Sequence, residues 1–352
     1  MLINKQSLVW RKNILAFIFI VCFSISATCK KESVQTPIVI NDTVFAKGAD
    51  VGWLTEMEAA GMKFYDAAGT PTECIALLKS LGMNSIRLRV WVNPKEGWNN
   101  AADVVAKAKR ASQLGMKLMI DFHYSDDWAD PSKQTKPAAW VTQDIDSLKI
   151  SVANHTNNVL SQLKTAGVTP TWVQVGNETN DGMLWPIGRA SANMNNFAQL
   201  INAGYEAIKN VFPSAKVIVH LSNGWDNKLF RWMFDGLKNN GAKYDVIGMS
   251  LYPTWAGTNW QTANQNCLEN MNDIISRYNK EVMIVEVGMA WDDAFECKNF
   301  LTDLIAKAKS ISNHKCLGVL YWEPECYNDW KGYKLGAFDN SGKPTIALDA
   351  FK

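Results

Sequence analysis

A chain of 352 residues that is 47% hydrophobic and 20% charged buries a sizeable core, which excludes global disorder. Its formal net charge of +2 gives no electrostatic reason for a nucleic-acid partner. The length fits one large barrel or two ordinary domains. Fifteen tryptophans offer flat faces that pack in cores or stack on sugar rings, and core packing accounts for most of them.

Residues 1–28 read as a signal peptide. Lys5, Arg11 and Lys12 precede an apolar run from Ile14 to Ile25, and small residues Ser26, Ala27 and Thr28 follow. The run is too short to span a membrane. Cys29, followed by Lys30 and Lys31, resembles a bacterial lipoprotein junction, so attachment to a membrane through a lipid on Cys29 is the preferred reading and plain secretion the alternative. Residues 29–43 are polar and irregular and form a tether. Either way the chain is exported, to the cell surface, the periplasm or the medium.

From residue 44 to 352, short apolar runs alternate with amphipathic stretches, which argues for parallel βα units. Thr70-Pro71-Thr72-Glu73 reads as a capping box with proline at the first helical position, and Gly82 ends that helix. "LGMNSIRLRVW" begins at Leu81 and "LGMKLMIDFHY" at Leu114, so one helix stop and strand start recur 33 residues apart, the length of a βα unit. Eight strands are predicted: Phe45–Val51, Ser85–Val90, Lys117–Phe122, Trp172–Val175, Val217–His220, Val246–Ser250, Val282–Val285 and Gly318–Tyr321. The expected fold is α/β, a single-domain (β/α)8 barrel of the TIM type. A doubly wound open sheet would carry a glycine-rich phosphate loop after its first strand, and no GxGxxG or GxxxxGK[ST] string is present.

Beyond Cys22 and Cys29, five cysteines remain: Cys74, Cys267, Cys297, Cys316 and Cys326. An exported chain can form disulfides, and Cys297 and Cys326, each read as lying just past a strand near the C-terminus, are the preferred pair. There is no CxxC and no Cys/His cluster at zinc spacing, so neither metal nor cofactor is expected.

In such a barrel the residues just after each apolar run form the active site. "TWVQVGNETN" leads into Asn177 and Glu178, and "EVMIVEVG" places Glu286 where the seventh strand meets its loop. A carboxylate after an apolar run is costly unless paired. Two on strands facing each other across a barrel mouth suggest the paired acids of glycoside hydrolysis, although either alone reads as a structural ion-pair partner. Asn177 would hydrogen-bond the hydroxyl beside the reacting carbon. Arg87 and Arg89 alternate onto one face, where a carboxylate nucleophile would serve as their anion; a supporting salt bridge is the plainer reading. Asp121, His123, Tyr124, Asp126, Trp128 and Asp130 crowd the third strand's end. Their spacing matches no zinc or EF-hand pattern, and sugar binding fits better. The sixth strand ends with Tyr252 and Trp255, and the eighth with Trp322, a candidate sugar floor, and Glu323.

Read together, "KGADVG", "RLRVWVNP", "IDFHYSDDWADP", "VQVGNET", "GMLWPIGR", "HLSNGWD", "GMSLYPTW", "IVEVG" and "LYWEPE" resemble glycoside hydrolase family 53, the endo-β-1,4-galactanases. They run in order from Lys47 to Glu325, over nearly the whole mature chain. The resemblance implies a retaining mechanism with Glu178 as acid/base and Glu286 as nucleophile. It implies endo attack on β-1,4-galactan, as in the (arabino)galactan side chains of pectin. It places Asp50, Arg87, Arg89, His123, Tyr124, Asp126, Trp128, Asn177, Asn223, Tyr252, Trp322 and Glu323 at substrate-binding positions. Some bacterial relatives carry calcium in the loop between strands 7 and 8. Here about 30 residues separate Glu286 from Gly318, they must also hold a helix, and no acidic ligand run is visible. A retaining pair would sit about 5–5.5 Å apart. The alternatives are a mannanase or glucanase of the same clan, a glycan-binding lipoprotein without activity, and a metal-dependent hydrolase. No heptads are visible, so a monomer is expected.

Overall fold

The computed structural model describes residues 44–352; the expected signal segment and tether, Cys29 included, fall outside these residues. Eight strands pair in sequence order, all parallel, and the eighth closes on the first. They are β1 (Ala46–Asp50), β2 (Ser85–Val90), β3 (Lys117–Phe122), β4 (Trp172–Val175), β5 (Lys216–Leu221), β6 (Val246–Leu251), β7 (Glu281–Val287) and β8 (Cys316–Trp322). The helices between them are α1 (Leu54–Ala59), α2 (Cys74–Ser80), α3 (Ala101–Gln113), α4 (Ile145–Thr165), α5 (Met194–Val211), α6 (Asn227–Asn239), α7 (Trp260–Tyr278) and α8 (Ala294–Ser310). The single-domain (β/α)8 barrel expected from the repeat is the fold.

Strand alternation divides the apolar residues between two cores. Ala46, Met119, Trp172, Ile218, Val246, Met283 and Leu320 point inward and fill one end of the barrel. Outward neighbours such as Ile86, Leu88, Ile120, Val173, Val219 and Ile247 pack in the larger cluster with the helices. Burying each such side chain contributes about 1.5–3 kcal/mol. Side-chain oxygens of Asn100, Asp144, Asn193 and Asn259 cap α3, α4, α5 and α7 by accepting from the third residue on.

Two sequence expectations are corrected here. Thr70 does not cap α2. Its amide is drawn to the Asp66 carboxylate at 2.8 Å and its carbonyl to the Asp66 amide, while Pro71 bridges Tyr65. That turn keeps the proline extended, and the helix starts at Cys74 with Glu73 as its cap. Cys297 and Cys326 are not bonded: all five cysteines of the described residues are free and buried. Cys297 lies in α8 rather than past a strand, with its sulfur 3.6 Å from the Tyr321 hydroxyl, whereas Cys326 packs 3.9 Å from the Met57 sulfur.

Candidate active site

The inner core stops short of the strands' C-terminal ends, where polar side chains take over. Asp50, Arg87, Arg89, Asp121, Gln174, His220 and Ser250 continue the inward alternation of β1 to β6. β7 breaks the alternation. Ile284 and Val287 face the outer cluster and Met283 and Val285 the inner one, yet Glu286 also points inward, onto Arg87. The pairing with β6 slips there, from Met249 opposite Ile284 to Ser250 opposite Glu286. This bulge re-aims Glu286 from the helix layer into the barrel mouth. After β4, Gly176 (φ 80°) and Glu178 (φ 43°) both turn left-handed, which carries the Glu178 carboxyl over the mouth.

Arg87 is the hub. One guanidinium nitrogen holds Glu286 and Asp50, both at 2.8 Å; the other holds Asp121 at 2.9 Å and the Asn177 amide oxygen at 3.0 Å. Arg89 pairs with Glu323 and lies 3.5 Å from Asp50. Two guanidiniums therefore face four carboxylates in a buried space, and part of the excess is carried as protons: burial, then the Glu323 charge, pushes Asp50 up to about 7.

Burial likewise raises both acids of the mouth, Glu178 to about 7 and Glu286 to about 8. By size alone, the shifts would put a shared proton on Glu286. The contacts place it on Glu178. Glu286 touches a fixed cation through one oxygen and accepts from the Tyr252 hydroxyl at 3.2 Å through the other, whereas Glu178 meets only the neutral Ser250 hydroxyl, at 2.7 Å. Direct contact with a guanidinium favours the ionised form more than any neutral donor does.

A chain of neutral groups stands behind Glu178. Ser250 donates to its Oε1, His220 Nε2 lies 2.8 Å from the Ser250 oxygen, and His220 Nδ1 accepts from the Gln174 amide at 3.1 Å. Burial, then Arg87, holds the His220 pKa well below its ordinary value, so the ring stays neutral with its proton on Nε2. Ser250 engages Oε1, which leaves Oε2 to carry the acidic proton. The Ser250 bond stabilises the carboxylate form. Ser250→Ala is therefore expected to raise the Glu178 pKa and move the alkaline limb of kcat/KM to higher pH, by a threefold to about tenfold change in proton affinity. An unmoved alkaline limb would contradict this arrangement.

Aromatic rings line the cleft of about 410 Å³ that holds both acids: Trp53, Trp128, Tyr252, Trp255, Trp322 and Tyr333. Trp53, Trp128 and Trp322 meet edge-on or tilted at centroid distances of 5.1–5.9 Å. Beneath them the Arg89 guanidinium sits 4.6 Å from the Trp128 ring and 5.1 Å from the Trp53 ring. Its Nε and Nη2 have no hydrogen-bond partner; indole faces take their place. Gly52 is required here, because a Cβ would collide with the Arg89 guanidinium and the Glu323 carboxylate.

Of the residues singled out in the sequence, Glu178, Glu286, His123, Trp128, Asn177, Tyr252 and Trp322 line this cleft. Asp50, Arg87, Arg89 and Glu323 are fully buried beneath it and touch its lining rather than its space. Glu323 accepts from the Trp53 amide at 3.1 Å, so it anchors the aromatic floor. Three lie elsewhere. Tyr124 stacks on Phe122 and bonds Thr156 of α4 at 2.8 Å, on the outward face. Asp126 accepts from the amides of Asn93 and Ala138 and ties two loops together. Asn223 is half-buried in a left-handed turn outside the cleft lining. Sequence reasoning missed Trp53, Tyr333, Gln174, His220 and Ser250. The last three were within reach, since each continues an inward alternation from an apolar strand residue.

A closed parallel barrel with two carboxyls at its mouth, one buried and ion-paired and one half-buried and not, beside an aromatic cleft defines a glycoside hydrolase. Comparison with known proteins agrees. The model of Glycosyl hydrolase family 53 matches residues 46–299. The arabinogalactan endo-β-1,4-galactanase of Thermothelomyces thermophilus is 34% identical over 87% of this chain and 98% of its own. A fungal β-1,4-galactanase structure superposes with a TM-score of 0.80 at 31% identity, over 88% of this chain and 99% of that one. The family 53 catalytic domain of Ignisphaera aggregans gives 0.80 at 31% identity, over 90% and 98%. The chain belongs to glycosyl hydrolase family 53.

Proposed function

We propose that this protein is a retaining endo-β-1,4-galactanase acting on (arabino)galactan side chains of pectin, with Glu178 as acid/base and Glu286 as nucleophile. The asymmetry of the two carboxyls carries the reading: guanidinium and phenol on Glu286, a lone hydroxyl on Glu178. A Glu286 oxygen attacks the anomeric carbon while the Glu178 proton passes to the departing glycosidic oxygen. A galactosyl ester on Glu286 results. Glu178, now a carboxylate, takes a proton from water as that water attacks the same carbon, and Glu286 is released with the starting configuration restored.

Asn177 suits the hydroxyl next to the anomeric carbon. Its oxygen is fixed by Arg87 and Gln174, and its NH2 gives one hydrogen to the Ala129 carbonyl at 2.8 Å, leaving the second for the sugar. The choice of galactan is supported by the names of the relatives. Reducing-sugar release from galactan, mannan and cellulose tests it: release from galactan alone is expected, and faster release from mannan or cellulose would replace galactose with another sugar.

A further inference from the structure

A second hollow of about 160 Å³, the size of one hexose ring, adjoins the reaction cleft. Lys331 stands in the walls of both, its ammonium held by Glu56 at 2.6 Å. Trp91 and Trp98, on the segment after β2, form the aromatic part of the hollow. Trp91 is committed to the floor, donating to His123 and meeting Trp128 edge-on. Trp98 is not: it is half-buried and packs into neither hydrophobic cluster.

Barrel order sets the two hollows in line. β2 and β6 lie four strands apart in a closed ring of eight, hence on opposite sides of the mouth. Trp255, which follows β6 and is 62% exposed, is the lip of the cleft opposite Trp98. A path runs from Trp255 over the acids to Lys331 and on to Trp98.

We propose that the second hollow is a distal sugar site, holding a pyranose of the same β-linked chain that is cut between Glu178 and Glu286. An indole face of Trp98 covers the apolar C–H face of the ring, and the Glu96 carboxylate accepts its hydroxyl hydrogens, whereas the two oxygens of Asp127 are already engaged by Ser125 and Lys133. Asp126 contributes none, because its oxygens already hold two loop amides.

This inference rests on the galactanase reading, and the experiment separates the two. End-labelled β-1,4-galacto-oligosaccharides of increasing length are cleaved by the wild type, Trp98→Ala and Trp98→Tyr, with circular dichroism as the check on folding. In the wild type kcat/KM climbs with length until the distal site fills. Trp98→Ala is expected to lose about tenfold of that climb and to shift the bonds cut, and Trp98→Tyr to restore most of it. The same length dependence and the same cleavage positions in folded Trp98→Ala overturn the distal site. If the wild type leaves galactan intact and cuts another β-glycan, the galactose assignment fails, and oligomers of that glycan decide the distal site in the same way.

Discussion

Arg87→Ala is expected to cost the fold about 3–5 kcal/mol and to remove nearly all activity. The guanidinium is 1% exposed and touches Asp50, Asp121 and Glu286 within 2.9 Å. Its loss leaves three buried carboxyls together, with Arg89 alone to answer them. The remaining response is protonation, and Glu286 is among the groups that would take it up. A protonated Glu286 cannot attack. Lysine does not substitute, because one ammonium cannot reach Asp50, Asp121, Glu286 and Asn177 with the spread of a planar fork. Urea denaturation with activity at matched temperature measures both effects. A variant as stable and as active as the parent would show that the hub is dispensable.

The second large effect separates the two acids. Glu178→Ala is expected to lose about 10²–10⁴ in kcat on galactan, where a poor leaving group needs its proton. On a galactoside with an acidic phenol the bond-breaking step needs no acid, and the ester on Glu286 accumulates. Azide then replaces water and yields the β-galactosyl azide. Glu286→Ala removes the nucleophile and fails on both substrates. If azide restores it, attack falls directly on the substrate and the product is the α-azide. Exchange of these outcomes between the two variants would reverse the roles, and it would mean that the Arg87 contact does not decide which carboxyl is ionised.

Much of this architecture was legible in the chain. Apolar runs gave β2, β3 and β4 to the residue, and the acids followed from looking just beyond them. Tyr124 was misplaced for a reason that the sequence did contain: His123 faces the cleft, so its neighbour must face outward, where Phe122 and Thr156 receive it. Glu286 is the reverse case. Alternation from Met283 and Val285 predicts it outside, and only the slipped pairing with β6 brings it in. A bulge depends on the partner strand, so no period along β7 announces it. Glu323 was read as a sugar ligand because it follows Trp322 at a strand end; a left-handed turn (φ 48°) drives it under the floor instead. Trp53 and Tyr333 lie in connections, where no period constrains direction. The cysteine pair failed because nearness to the C-terminus says nothing about which sulfurs meet.

The account stands on Glu286 bonding to the sugar while Glu178 moves the proton. Proton NMR of galactan digestion, recorded in the first moments before mutarotation, reads that step directly. The account predicts that the new reducing ends appear first as the β anomer, with α growing in only as they equilibrate. If α ends appear first, water attacks in a single displacement, no ester forms on Glu286, and the assignment of both residues is wrong.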